Sequence, residues 1–180
     1  MVSTSDSYTF TISGDRTLVA NFNVVITSLN ILSIGDYTAM SGAETTISVN
    51  LNNSDDVVAF QLDIPLDASL SYVAGSAALT PRATANHFMS AQIVSNNTLR
   101  FIVYSMPSTP FIGENGAIVT FDITGSVAGT YALNMTNAIL SDAQGQSLLT
   151  EVVNGSIEIL PLPTYTINAG VYPEGAGTVT

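Results

Sequence analysis

The chain has 180 residues, of which 46% are hydrophobic and 9% are charged. This composition is too apolar for a disordered segment, and no apolar run reaches the roughly 18 residues that a membrane-spanning helix needs, so it predicts a folded domain. Three arginines and no lysine stand against fourteen carboxylates, giving a formal charge of -11, which argues against nucleic-acid binding because such a surface repels phosphates.

The N-terminal segment predicts a β-hairpin. In residues 8–22, apolar side chains alternate with polar ones on both sides of a turn at 13–16. An isolated hairpin is marginal in water, so we expect these strands to belong to a larger unit. Residues 1–6 have neither the basic nor the apolar region of a signal peptide, and we expect that a leader was removed or that the chain is a fragment.

Residues 28–160 carry strand patterns separated by turn signals, at the spacing of a β-sandwich. No segment has the pattern of a helix of three turns. A looser segment covers residues 76–89, and the turn at 95–97 joins two strands into a hairpin. A closing hairpin is expected over Asn154-Gly155, because both central residues of a type I′ turn need positive φ. The predicted strands cover residues 29–34, 45–51, 58–64, 69–73, 91–94, 99–104, 117–123 and 129–135.

The third of these strands shows the alternation most clearly. Phe60, Leu62 and Ile64 are expected to point into the core, and the residues between them to point outward. The whole pattern predicts an all-β fold, a jelly-roll-like antiparallel β-sandwich of about nine strands with β-hairpin segments at both termini.

The two ends of the chain resemble complementary halves of one module. Residues 165–180 begin as a strand and reach the turn sequence Pro173-Glu174-Gly175. Together with residues 1–24 they resemble the bacterial surface repeat related to the B-repeat of internalins. The resemblance implies a chain cut from a longer array, with a partial repeat at 1–24, a sandwich at 28–160, a Pro-containing linker at 161–164 and the start of a second repeat at 165–180. Two ordinary terminal hairpin arms are the alternative.

Three passages of the central region follow a recognisable loop order. Residues 31–51 form two strands around a Gly-containing turn, residues 57–73 form a long strand that breaks at a Pro/Asp corner, and residues 113–116 lead through Gly-x-x-Gly into an apolar strand. In this order, residues 29–159 resemble a cohesin domain, the jelly-roll sandwich of cellulosome scaffold proteins and related bacterial surface proteins. The resemblance implies a non-catalytic module that binds dockerins, in a secreted or cell-surface protein.

The resemblance also implies where a partner would bind. It assigns recognition to the outward face of the third, fifth, sixth and eighth strands. The residues that it places there are Ala59, Gln61, Asp63, Arg100, Ile102 and Tyr104. Type I cohesins carry an Asn and an Asp on the third strand, where this chain has Ala59 and Gln61, so ordinary dockerin recognition does not follow. The alternative is the plain solvent-facing half of an antiparallel sheet.

Catalytic chemistry finds little support in the residues. His87 is the only histidine, and no Gly-x-Ser-x-Gly sequence offers it a nucleophile, so we interpret it as a loop or packing residue. Cysteine is absent, which excludes thiolate chemistry and disulfides. Tryptophan is also absent and the carboxylates are scattered in turns, which disfavours glycoside hydrolysis. We therefore predict that the chain is not an enzyme and has no catalytic residue.

Two binding alternatives remain open. Residues 52–56 cluster oxygen ligands that suit calcium, but Asn and Asp are also common turn formers, and we predict no metal and no cofactor. Sugar binding would require tyrosines as stacking platforms, the candidates being Tyr37, Tyr72, Tyr104 and Tyr131. We predict a protein-binding module, with a carbohydrate-binding module of a polysaccharide-degrading enzyme and a structural spacer as alternatives. We expect no nucleic-acid partner and no membrane span.

Overall fold

A computed structural model describes residues 11, 13–15 and 28–167 of the chain. Most of the hairpin predicted at 8–22 lies outside these residues, and so does the strand and turn pattern predicted beyond residue 167. The described part is all-β, with thirteen strands and one short 3-10 turn. None of its segments is a helix of the length and apolarity required to cross a membrane.

The strands follow one another with short connections. In chain order they are β1 (Asn30–Ile34), β2 (Asp36–Met40), β3 (Glu44–Asn53), β4 (Ala59–Pro65), β5 (Leu70–Tyr72), β6 (Ala78–Leu79), β7 (His87–Val94), β8 (Thr98–Ser105), β9 (Asn115–Gly125), β10 (Gly129–Leu133), β11 (Thr136–Ser141), β12 (Glu151–Val153) and β13 (Gly155–Leu160).

These strands form three sheets. A four-stranded sheet has the order β11-β4-β8-β7, and a second sheet has the order β12-β1-β3-β9-β5 with β6 also paired to β9. A third sheet has the order β10-β13-β2. All pairings are antiparallel except β1 with β12 and β2 with β13, which are parallel. The predicted all-β sandwich is confirmed, and it contains two parallel pairings that the sequence pattern did not indicate.

One hydrophobic core lies between the sheets. Phe101 of β8 and Phe121 of β9 are fully buried, and their ring centroids are 5.2 Å apart, so the four-stranded sheet packs directly on the sheet that contains β9. Burial of each such side chain contributes about 1.5–3 kcal/mol. Phe60, Leu62 and Ile64 are also buried, which confirms the alternation predicted for β4.

The hairpin predicted over Asn154-Gly155 is wrong. Here β12 runs parallel to β1 and β13 runs parallel to β2, so the chain crosses from one sheet to another at this point instead of reversing. A Cβ on Gly155 would clash with the carbonyl oxygens of Ile34 and Gly35. Asn154 accepts a hydrogen bond from the Met135 amide at 2.8 Å. This Asn-Gly pair therefore permits close backbone approach.

The strands outnumber the nine or so expected because β2, β6 and β11 were not predicted. The chain breaks at Gly35 between β1 and β2, opposite the break between β12 and β13, and each half joins a different sheet. The short strand β6 lies in the segment at 76–89 that appeared loose in sequence, whereas β5 coincides with the strand predicted at 69–73. In addition, β7 begins at His87, inside the segment that appeared loose in sequence.

Candidate functional site

The outward side chains of the four-stranded sheet line up in rows across its strands. Residues directly opposite one another in an antiparallel sheet point to the same side, so the pairing register places them. The first row is Ser141, Ala59, Tyr104 and Phe88, the second is Ile139, Gln61, Ile102 and Ser90, and the third is Thr136, Asp63, Arg100 and Gln92. We call these twelve residues the outward face.

All six residues predicted from sequence lie on the outward face. They form three cross-strand pairs between β4 and β8, which are Ala59 with Tyr104, Gln61 with Ile102, and Asp63 with Arg100. Because β4 and β8 are the two inner strands of the sheet, these residues form its centre. The structure therefore brings the predicted residues together on one surface.

The outward face exposes four large apolar side chains. Their exposed fractions are 51% for Phe88, 44% for Tyr104, 38% for Ile102 and 47% for Ile139. The rings of Phe88 and Tyr104 stack with centroids 5.8 Å apart. Large apolar side chains grouped on one surface commonly mark an interaction site, whereas single ones do not.

The outward face also carries no net charge. Among its twelve residues only Asp63 and Arg100 are charged, and they pair with each other. This neutrality contrasts with the formal charge of -11 on the whole chain. A partner can thus approach this surface without meeting an unpaired carboxylate.

The Asp63–Arg100 pair has fixed geometry. Arg100 Nε and Nη2 donate to Asp63 Oδ1 and Oδ2, each at 2.7 Å, and Asn137 Nδ2 donates to Oδ2 at 2.9 Å. The Asp63 side chain is 4% exposed, and that of Arg100 is 36% exposed. Hydrogen bonding from Arg100 lowers the pKa of Asp63 despite burial, which acts in the opposite direction. The ion pair in turn raises the pKa of Arg100.

Asn137 reaches Asp63 because of an irregularity in β11. The register of β11 against β4 shifts between Thr136 and Ile139, and Asn137 has a φ of 49°. Asn tolerates this left-handed conformation better than most residues do. The bulge thus directs an amide onto the buried carboxylate.

Arg82 connects several loops by hydrogen bonds beside the Tyr104 end of the outward face. Its guanidinium donates to the carbonyl oxygens of Leu51, Ile112, Gly113 and Gly116 and to Asn53 Oδ1, at distances between 2.6 and 3.0 Å. Among the described residues it pairs with no carboxylate. Burial lowers its pKa. Arg82 therefore holds the start of β9 against the end of β3.

His87 packs beneath the same end. Its ring centroid is 4.3 Å from that of Phe111, and its Nδ1 accepts a hydrogen bond from the Thr84 amide at 3.0 Å. The buried Nε2 has no hydrogen-bond partner within the described part of the chain. Burial lowers the pKa of His87. The predicted packing role agrees with this position at the start of β7.

The oxygen-rich loop at 52–56 is occupied by internal hydrogen bonds. Asp55 accepts hydrogen bonds from Asn30 Nδ2 at 2.8 Å and from Ser28 Oγ at 3.2 Å. Asn53 Nδ2 donates to the Asp55 carbonyl oxygen at 2.8 Å. Over residues 28–167, no cluster of three or more His, Cys, Asp or Glu side chains could hold a metal ion. The turn interpretation accounts for these contacts.

The candidate tyrosines do not form a strip. Tyr37, Tyr72 and Tyr131 are partly buried and pack against the core from different strands, whereas Tyr104 is exposed on the outward face.

Two apolar residues of the outward face were not identified from sequence. The stacking partner of Tyr104, Phe88, was missed because polar and apolar residues are mixed on both sides of β7. Ile139 was missed because the bulge interrupts the alternation of β11. The alternation of the outward residues Phe88, Ser90 and Gln92 with Met89 and Ala91, which pack against the core, is the weak signal that could have identified β7.

The outward side of β3 and β9 is different. Its residues are Glu44, Thr46, Ser48, Asn50, Thr120, Asp122 and Thr124, which we call the polar face. It has two carboxylates and no large apolar side chain. Asp122 accepts a hydrogen bond from the Thr46 hydroxyl.

Comparisons with known proteins match the central region of the chain. The family model described as Cohesin domain matches residues 31–159. No curated protein matches the chain in sequence.

Solved structures share the fold at low identity. A non-cellulosomal cohesin from the archaeon Archaeoglobus fulgidus is 19% identical with a TM-score of 0.62, and the match covers 73% of this chain and 91% of that one. The seventh ScaB type I cohesin from Pseudobacteroides cellulosolvens is 16% identical with a TM-score of 0.66, covering 79% and 99%. A chain of the Coh-OlpC–Doc435 cohesin–dockerin complex from Clostridium thermocellum is 13% identical with a TM-score of 0.63, covering 82% and 100%.

Proposed function

Because this chain belongs to the cohesin family, whose domains are non-catalytic binding modules, we propose that its outward face binds a protein partner of the dockerin kind. The observation that supports this most strongly is the neutral, partly apolar outward face on a chain with a formal charge of -11. Large aromatic and Arg side chains contribute much of the binding energy of protein interfaces, and Tyr104, Phe88 and Arg100 are of these types.

The position of the outward face supports side-chain recognition. Each inner strand, β4 and β8, is paired on both edges, so its backbone groups are already used by neighbouring strands. A partner must therefore contact the centre of this sheet through side chains, as the flat packing of a helix on a sheet allows.

Ala59 and Gln61 alter the chemistry expected of a type I cohesin. They occupy positions where the resemblance implies Asn and Asp, and they lie beside Tyr104 and Ile102. The proposed contact is consequently more apolar than type I recognition. A partner of this chain should present apolar side chains to the centre of the outward face.

A calorimetric titration with a panel of dockerins tests the proposal. The panel contains the dockerins of the two Clostridium thermocellum complexes with OlpC and OlpA and the Cel5 dockerin of Acetivibrio cellulolyticus, together with dockerins encoded in the parent genome. We expect saturable binding of at least one member at one partner per chain. Lack of binding by every member would overturn the proposal.

Carbohydrate binding is the second candidate, and the Phe88–Tyr104 stack supports it. Two exposed rings can hold a sugar, as in a carbohydrate-binding module of a polysaccharide-degrading enzyme. A glycan array with the same protein distinguishes the two functions. Binding to glycans without binding to any dockerin would favour this candidate over the first.

We also propose which segments flank the module in the parent protein. The terminal segments 1–24 and 165–180 are assigned to partial surface repeats resembling the internalin B-repeat, with a linker at 161–164, in a secreted or cell-surface multidomain bacterial protein. The repeat-like sequence at both ends supports this, and it would let the module serve also as a spacer. The full reading frame tests it, since flanking repeats or a sorting signal are expected there.

A further inference from the structure

We propose that Arg100 is a prearranged hydrogen-bond donor that selects a partner with a neutral carbonyl acceptor, supplied by the C-terminal end of a helix. This inference rests on the proposed function, because it concerns the chemistry of the same surface. It names the group that a partner presents to the third row of the outward face, beside Thr136, Asp63 and Gln92.

The first argument is the fixed position of the guanidinium. Arg100 is held by two parallel hydrogen bonds to Asp63, and Asp63 is itself held by Asn137. A guanidinium has five N–H groups, and these bonds use only one on Nε and one on Nη2. Nη1 makes no hydrogen bond to any residue of the described part. The remaining donors are available to a partner at little cost in side-chain entropy, since the side chain is already ordered.

The second argument concerns charge. The Asp63 side chain is 4% exposed and already neutralises Arg100. A partner carboxylate placed on the remaining donors would leave two negative charges against one positive charge in a surface that binding removes from water. Burial of an excess charge is costly, whereas a carbonyl oxygen satisfies the donors without adding charge. The pair therefore favours a neutral acceptor.

The third argument concerns the source of that acceptor. The last four carbonyl groups of a helix have no partner within the helix, and they form the negative end of its dipole. Such an end supplies several oriented oxygens without a formal charge. The free N–H groups of Arg100 need acceptors, so they suit this end better than a helix N-terminus, which offers only further N–H donors.

The spacing of the rows gives the length of the helix. Alternate residues of a strand are about 7 Å apart, so Ile102 and Tyr104 lie about 7 Å and 14 Å from Arg100 along β8. A helix rises about 1.5 Å per residue, so apolar side chains about five and nine residues before its C-terminal end would meet Ile102 and Tyr104. The partner segment is thus an amphipathic helix of at least about three turns.

Titrations of four proteins test this inference. The probe is the panel dockerin that binds the wild type most tightly, and the proteins are the wild type, Arg100→Gln, Asp63→Asn and Tyr104→Ala. We expect Arg100→Gln to weaken binding by about tenfold or more. Wild-type affinity should change by less than about threefold between about 50 mM and 500 mM salt, because the anchor is neutral as a pair. Asp63→Asn, which leaves Arg100 without its counter-ion, should increase this salt dependence.

The outcomes separate this inference from the proposed function. If Arg100→Gln binds as the wild type does while Tyr104→Ala loses binding, the inference is overturned and the proposed function stands. If no dockerin binds the wild type, both are overturned together. A steep loss of wild-type affinity with salt would also overturn the inference, because it would indicate an ion pair with the partner.

A measurement on the unmutated protein covers the case in which a variant fails to fold. The Arg100 Nε–H and Nη–H resonances can be followed in 15N spectra of the wild type with and without the dockerin. We expect exchange of the Nη hydrogens with water to slow in the complex. Unchanged exchange at Arg100, with shifted amides at Ile102 and Tyr104, would contradict the inference.

Discussion

The outward face and the polar face are built on the same kind of strand, yet they expose opposite chemistry. The outward face has four large exposed apolar side chains and one internal ion pair. The polar face exposes hydroxyl and amide side chains with Glu44 and Asp122. Both have buried alternate residues, so the inward half of each strand fixes the sandwich and the outward half is free to differ. This difference is the reason why we propose the outward face, and not the polar face, as the surface that binds a partner.

A substitution in the supporting layers should have the largest effect on stability. Gly155→Ala places a Cβ against the backbone of Ile34 and Gly35, and we expect a loss of about 3 kcal/mol or more in the free energy of unfolding. Gly35→Ala is the matched control, because a Cβ there meets nothing within 4 Å. Urea unfolding of both variants measures the difference. Equal stability of the two would show that the crossing is not closely packed.

A charge on either face should distinguish their roles in binding. Ile102→Asp places a carboxylate at the centre of the outward face, and we expect about 100-fold weaker binding of a panel dockerin, since an unpaired charge in an interface is costly. Ser48→Asp makes the same change in charge on the polar face and should leave affinity within about twofold. Calorimetry measures both. Equal losses would remove the distinction between the faces.

Two aspartates that differ in burial should differ in their contribution to stability. Asp63 is buried and accepts three hydrogen bonds, two of them from Arg100, so we expect Asp63→Asn to lower the free energy of unfolding by about 1–3 kcal/mol. Asp122 on the polar face is half-buried and accepts a hydrogen bond from Thr46, and Asp122→Asn should cost about 0.5 kcal/mol. Thermal unfolding compares them. A larger loss for Asp122→Asn would contradict this ranking.

Mildly acidic pH should lower the stability of the four-stranded sheet that carries the outward face, because His87 at the start of β7 becomes protonated. Its pKa is lowered in the folded state by burial, so the neutral form is favoured there. The contribution of neutral His87 to the free energy of unfolding is fully present above its pKa in the unfolded state, about 6.5. As the pH falls from that value towards the lower pKa of the folded state, the free energy of unfolding decreases by at most about 1.4 kcal/mol per pH unit.

Hydrogen exchange measures this smallest effect. Amides of β7, which begins at His87, should exchange faster at mildly acidic pH before those of β3 do, after correction for the intrinsic rates. His87→Gln should reduce the pH dependence because it removes the titrating group. An unchanged dependence in that variant would assign the effect to another group.

Some elements were predictable because their signals are local. The alternation of β4 identified both its core residues and the outward positions Ala59, Gln61 and Asp63. The turn at 95–97 identified the hairpin of β7 and β8, and Asn96 and Asn97 adopt the positive φ that such a turn needs. The partner-binding role of Ala59, Gln61 and Asp63 remains a proposal.

Other elements depended on distant parts of the chain. Asn154-Gly155 has the local signal of a hairpin, but the backbone of Gly35 beside it, about 120 residues away along the chain, makes it a crossing. Asn137 could not be linked to Asp63 because a bulge in β11 directs it there. Likewise, the position of Phe88 on the outward face follows only from its pairing with Tyr104 across β7 and β8.

The sequence alone determined the all-β class, the absence of thiol chemistry, the acidic charge and the outward positions of β4 and β8. Periodicity and composition are properties of neighbouring residues, so they can be read without coordinates. The tertiary structure decided which strands pair, where the chain changes sheets, and that one face carries no net charge. These features depend on contacts between residues far apart in the chain, and the register that creates them is set by packing of the whole core.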